Sequence, residues 1–177
     1  MSDFLELAAR RQSCRNFLDK PVEHEKLVRC IEAARLSPSA CNSQPWKVIA
    51  VEDPDKVRQV AEATMQLGIN KYFEKARAFF VVLEEPGELM AKIAVLVDSQ
   101  VFAKGDLGGF VLSLCLEAES LGIGTCIIGL YDRPKLRELL GIPAWQSIFT
   151  VIAVGYPSSD TVRGKSRKPL EEIARFV

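Results

Sequence analysis

At 177 residues with 48% apolar side chains, the chain has the length and composition of one globular domain that buries a substantial core. Lysine plus arginine and aspartate plus glutamate are equal at 23 each, so no global field exists to hold a nucleic acid or an anionic membrane surface. Any anion site must be local, and neither nucleic acid nor membrane is an expected partner.

Residues 2 to 12 read as an amphipathic helix carrying Phe4, Leu5, Leu7 and Ala8, and residues 23 to 36 as a second with Leu27, Ile31 and Ala34 at i, i+4 and i+7. Residues 37 to 45, S-P-S-A-C-N-S-Q-P, resist both helix and strand and form a candidate binding loop. Residues 46 to 52 predict a strand, after which Asp53-Pro54 supplies an N-cap and a first-turn proline for a helix closing near Gly68. Residues 78 to 83 are continuously apolar, as in a strand buried on both faces, and a further helix is expected around residues 89 to 97. Residues 106 to 121 predict a buried central helix with Asp106 as N-cap and Gly122 as its stop. A strand over 125 to 129, a helix over 134 to 140 between Asp132 and Gly141, and a strand over 148 to 155 complete the pattern. Residues 157 to 177 are polar at first and then apolar at Leu170, Ile173, Phe176 and Val177, which suits an arm crossing a partner surface. The interleaving points to a single α/β (α+β) domain over residues 1 to 177, a mixed sandwich with helices on both sheet faces.

The five cysteines, Cys14, Cys30, Cys41, Cys115 and Cys126, form no C-x-x-C pair and fit neither zinc-ligand nor disulfide spacing. The first residues mix acids with apolar side chains and lack a signal-peptide core, so the expectation is a reduced, soluble, cytoplasmic protein with no metal site. The single histidine, His24, excludes H-E-x-x-H zinc hydrolysis and any mechanism with two imidazoles. It lies in the charged first turn of a predicted helix, where a solvated histidine is commoner than a catalytic one. G-x-S-x-G is absent, which leaves a Ser-His-Asp hydrolase poorly supported.

Two basic clusters stand at opposite ends of the chain: Arg10, Arg11 and Arg15 around Q-S-C, and Arg163, Lys165, Arg167 and Lys168 around G-K-S. A phosphate monoester, with about −1.5 to −2 charges near neutral pH, suits two or more cations plus hydroxyls. On spacing alone, solvated surface charge is the commoner explanation. The glycines of G-I-G-T-C-I-I-G do not match G-x-G-x-x-G, and no Walker A sequence occurs, so a phosphate site would be built from side chains.

Four motifs occur in order: R-Q-S-C-R-N-F, S-P-S-A-C-N-S-Q-P-W, L-E-A-E-S-L-G-I-G-T-C-I-I-G and K-S-R-K-P-L. With them the chain resembles the nitroreductase family of FMN-dependent oxidoreductases, from about Leu7 to Ile173. The resemblance implies a nitroreductase-like mixed sheet flanked by helices, in an intertwined homodimer with shared FMN sites. It assigns the FMN phosphate and ribityl chain to Arg11, Ser13 and Arg15 with Gln12 beside them, and to Lys165 and Arg167. It places Pro38, Ser39, Ala40 and Asn42 against the flavin of the partner subunit, and backbone N–H groups of Ile128, Gly129 and Leu130 near flavin N5. Asn70 matches a family asparagine at the pyrimidine ring, although its spacing to the next strand differs from longer relatives. Trp46 reads as strand core sooner than as a flavin stacker.

The implied activity passes hydride from NADH or NADPH through flavin N5 to a nitroaromatic, a quinone or a similar small acceptor, with no catalytic side chain. The alternatives are specialised flavin reduction, such as dehalogenation, enoate reduction or flavin fragmentation, and a non-catalytic flavin-binding regulatory module. The chain departs from larger members in lacking their long helical insertion. It also carries Gln12 where relatives often have another polar or basic residue.

Overall fold

Ala78–Glu84 alternates its side chains between two apolar layers, and this alternation organises the molecule. In the computed structural model, which describes residues 3–65, 69–85 and 102–177, this segment is β2 of a four-stranded sheet. The others are β1 (Trp46–Val51), β3 (Gly124–Ile128) and β4 (Ser147–Gly155), in the order β1-β2-β4-β3. All three strand pairings are antiparallel, and the parallel component of the sheet is a bridge between Ser13 and Thr125 at the β3 edge.

Phe79, Val81 and Leu83 face one layer, where Val57 and Val60 of α3 (Pro54–Thr64) and Leu136 of α5 (Arg133–Leu140) cover them. Ala78, Phe80 and Val82 face the other, packed by Leu27 and Cys30 of α2 (His24–Ala34) and by Leu107, Phe110 and Leu114 of α4 (Phe102–Ser120). Each fully buried Phe or Leu contributes about 1.5–3 kcal/mol of transfer free energy, so the two layers are the main source of stability. Trp46 stacks on Phe110 at 5.0 Å between ring centroids, a packing role at the strand start. By contrast, α1 (Phe4–Arg10) and α6 (Leu170–Ile173) bury no residue.

Local signals place most element ends. Asp53 and Asp132 each accept a hydrogen bond from the backbone N–H three residues on, at 3.0 Å. Gly122 and Gly141 take the left-handed backbone, at φ +73° and +63°, that follows a helix end. Asp106 corrects the sequence reading: α4 begins at Phe102, so Asp106 lies inside the helix and not at its cap. Its carboxylate instead accepts from Ala40 N–H at 3.1 Å, holding the 37–45 loop against α4. α3 ends at Thr64, where Met65 leaves the helical backbone, short of the stop expected near Gly68, while Gly68 itself and the helix expected at 89 to 97 lie outside the described residues.

The extended stretch after α1 is held at both ends. Cys14 N–H donates to the Thr125 carbonyl at 2.8 Å, and Leu18 N–H to the Tyr156 carbonyl at 2.8 Å, with a further bridge between Phe17 and Pro157. At Gly124 the approach is so close that a Cβ there would lie 2.7 Å from Cys14 Cβ and 2.8 Å from its Sγ. Gly124→Ala should therefore push the stretch off the sheet edge at a cost of about 1–3 kcal/mol, read as a lower melting temperature. An unchanged melting temperature would show that the stretch is not seated there.

Candidate functional site

Because the first stretch runs beside β3 and the tail leaves β4 next to it, the two chain ends return to one place. Arg11, Gln12, Ser13 and Arg15 share a cavity of about 250 Å³ with residues 163 to 167. Arg163 also walls a second hollow of about 570 Å³, lined by Arg10, Glu119 and Gly124 among others. The six residues expected from the first and last motifs, Arg11, Gln12, Ser13, Arg15, Lys165 and Arg167, therefore stand together. Arg10 and Lys168 separate from them, pairing with Glu119 at 3.4 Å and Glu172 at 4.0 Å.

The electrostatics are one-sided. Among the described residues, none of Arg11, Arg15, Arg163, Lys165 and Arg167 lies in an ion pair. Lys165 donates to the Ala8 and Ala9 carbonyls at the end of α1, where a cation also suits the helix dipole. Desolvation, followed by the like charges of Arg11 and Arg167, holds its ammonium below the ordinary lysine range. A bound anion would reverse the repulsive part of that shift.

Arg15 looks two ways. It lines the cationic cavity, and its guanidinium lies 5.9 Å from the centre of the Tyr72 ring. The Tyr72 hydroxyl donates to Asn70 Oδ1 at 2.8 Å, while Asn70 Nδ2 donates to the Thr64 carbonyl at 3.1 Å. Asn70, itself left-handed at φ +63°, is thus linked through Tyr72 to Arg15, and among the described residues only one of its two Nδ2 protons is used. Sequence reasoning passed over Tyr72, and it kept Arg163 only as a member of a basic cluster. The G-I-N-K-Y-F spacing was the available signal for the tyrosine.

The remaining expected residues lie apart from the cations. Ile128 is the last buried residue of β3, paired with Val151, and Gly129 and Leu130 are exposed beyond that final ladder pair. Thr125, which meets Ser13, is three residues earlier on the same strand, about 10 Å away at the usual rise. Pro38, Ser39, Ala40 and Asn42 line neither cavity. Their loop carries left-handed backbone at Cys41, Asn42 and Gln44, with φ of 53°, 53° and 45°. Such residues cost of order 1–3 kcal/mol each and persist where surroundings enforce them. Here Ser39 Oγ accepts from Gln44 N–H at 2.9 Å, and Asp106 holds Ala40.

Other candidate chemistry recedes. His24 is exposed and shares its Nδ1 with Glu52 at 3.0 Å, which raises its pKa. Burial pushes the Cys30 thiol up to about 12 and raises Cys14, Cys115 and Cys126, and all five cysteines are free. Cys30, Cys115 and Cys126 are buried packing thiols that burial keeps protonated. Among the described residues there is no cluster of metal-ligating side chains and no helix long and apolar enough to cross a membrane.

The sequence profile of the Nitroreductase family matches residues 8–156. A protein of Archaeoglobus fulgidus with the provisional name NADH dehydrogenase/NAD(P)H nitroreductase is 31% identical, over 90% of this chain and 88% of its own length. The FMN reductase (NAD(P)H) of Bacillus subtilis is 26% identical over 98% of this chain and 73% of its own. A nitroreductase family protein from Streptococcus pneumoniae has the same fold, with a TM-score of 0.82 at 24% identity, covering 99% of this chain and 100% of that one.

Unopposed cations at one cavity should bind inorganic phosphate, raising the melting temperature through mass action. The shift should shrink as pH rises through the lowered Lys165 pKa, because the charged ammonium is the binding form, and Arg11→Ala should remove most of it. An equal shift in chloride at matched ionic strength would count against a specific site.

Proposed function

This chain belongs to the nitroreductase family, and we propose that it is an NAD(P)H-dependent FMN oxidoreductase whose sites are shared between two copies. The observation that carries the reading is the convergence of cations from both chain ends, in none of the ion pairs among the described residues, in a chain of zero net charge. The cavity suits a phosphate monoester: Arg11, Lys165 and Arg167 would hold it, and charge-assisted bonds of this kind are worth about 1.5–3 kcal/mol each. In this reading Arg15, the Nδ2 of Asn70 and the end of β3 would meet the rest of the cofactor. The Asn70 proton suits a carbonyl oxygen of the flavin pyrimidine ring.

FMN held there would supply hydride transfer between NADH or NADPH and a small acceptor such as a nitroaromatic or a quinone. The chain's own work is anchoring and charge stabilisation. Backbone N–H groups of Ile128, Gly129 and Leu130 would donate toward the reacting edge of the ring, with Gly129 and Leu130 outside the strand ladder. No side-chain acid or base is required. That fits a histidine held by Glu52 and thiols kept protonated by burial.

A second copy accounts for what one chain leaves over. Pro38, Ser39, Ala40 and Asn42 are presented on a strained, pinned loop away from the chain's own cations. Leu170, Ile173 and Phe176 are 58%, 67% and 85% exposed on the tail, more apolar surface than a lone subunit gains by showing. In the shared site, that loop would close over the partner subunit's cofactor.

The purified protein should carry a flavin absorption band that bleaches anaerobically with NADH or NADPH, recovers with a nitroaromatic or quinone, and sediments with a dimer. Flavin-loaded protein that never bleaches would leave a non-catalytic flavin binder, and a flavin-bearing monomer would exclude the shared site.

A further inference from the structure

Residues 158 to 169 contain no helix or strand, yet part of this stretch is held in register against the first motif. Gln12 Nε2 donates to the Thr161 carbonyl at 2.9 Å, while Gln12 Oε1 accepts from Arg163 backbone N–H at 3.2 Å and from Arg163 Nε at 3.1 Å. Arg163 Nη2 returns across the gap to the Ser13 carbonyl at 2.6 Å. One amide thus uses both its donor and its acceptor on the tail, and one guanidinium closes the pair from the other side.

We infer that Gln12 and Arg163 form a clasp that sets Lys165 and Arg167 against Arg11, so that both act as positioning residues for phosphate recognition and neither is a phosphate ligand. This rests on the FMN reading above. Arg11, Lys165 and Arg167 are like charges around one cavity, and after desolvation the charges of Arg11 and Arg167 help to lower the Lys165 pKa. The contacts of Lys165 with Ala8 and Ala9 would otherwise be the main local hold on the tail's cations. The clasp opposes that repulsion with neutral acceptors, the Gln12 amide oxygen and the Ser13 carbonyl. A carboxylate at position 12 would also grip Arg163 but would cancel charge that the anion needs. Lys165 and Arg167 follow Arg163 by two and four residues and line the same cavity, so holding Arg163 limits how far both can move from Arg11.

The test compares wild type with Gln12→Ala, Arg163→Met and the double variant. In flavin-free protein, trypsin should cut after Lys165 and Arg167 sooner in Gln12→Ala than in wild type. FMN affinity should fall about tenfold in each single variant, the scale of one or two hydrogen bonds, and the double variant should lose no more than either. Riboflavin, which lacks the phosphate, should bind all four proteins alike. A double variant that loses the product of the two single effects would make the residues independent ligands and overturn the clasp. An equal loss for riboflavin would overturn it as general loosening. Variants indistinguishable from wild type in both cleavage and FMN affinity overturn the clasp alone, whereas wild-type protein that binds no FMN overturns the functional reading.

Discussion

The arrangement depends on the seating of the extended stretch from Arg11 to Leu18 between the edge of β3 and the exit of β4. Cys14 bonds Thr125, Leu18 bonds Tyr156, and Ser158 N–H donates to the Asn16 carbonyl at 3.1 Å. The bare Cα of Gly124 lets the backbone come this close. Once the stretch lies there, the tail leaving β4 has to run beside it. Cations separated by some 150 positions in sequence then become neighbours, as the 150-residue separation of the Arg163–Ser13 contact illustrates. The sheet positions both regions, because β3 carries the bridge to Ser13 and leads directly into Gly129 and Leu130.

Holding like charges together has an energetic cost that the folded chain meets with neutral partners. Carbonyls of Ala8, Ala9 and Ser13 and the amide of Gln12 take the hydrogen bonds, and among the described residues no carboxylate forms an ion pair with Arg11, Arg15, Arg163, Lys165 or Arg167. Glu119, which weakly favours the charged form of Lys165, is itself paired with Arg10, and Glu172 pairs with Lys168. The result is a cavity whose positive charge is stored for a ligand, inside a protein with no net charge to spend on polyanions. Strain at Cys41, Asn42 and Gln44 belongs to the same division of labour: the loop is held rigid by Ser39 and Asp106 and turned outward.

How much was legible in the sequence follows the range of the interactions. Caps and stops are local, so Asp53-Pro54, Asp132, Gly122 and Gly141 marked element ends, and the continuously apolar run of 78 to 83 marked the central strand. Asp106 misled because its partner, Ala40 N–H, is 66 residues away, and no rule of helix capping contains that contact. The two basic clusters were visible, but their meeting was an inference from resemblance, since charge spacing cannot encode a tail's return path. Gln12 was read as a cofactor neighbour, and only its geometry reveals that both amide atoms are already taken by the tail. Asn70 was legible as a residue type, whereas its orientation by Tyr72 and Thr64 depends on a left-handed turn that sequence does not display.

The central claim, that cations from both ends act on one phosphate, is tested most directly by the phosphorus NMR signal of bound FMN followed across pH. A free phosphate monoester titrates with a second pKa near about 6. The expected result is a bound resonance that stays in the dianion position well below that value, with Arg11→Ala and Arg167→Ala each moving the titration back toward the free one. A bound resonance that titrates like free FMN in the wild type would contradict the claim.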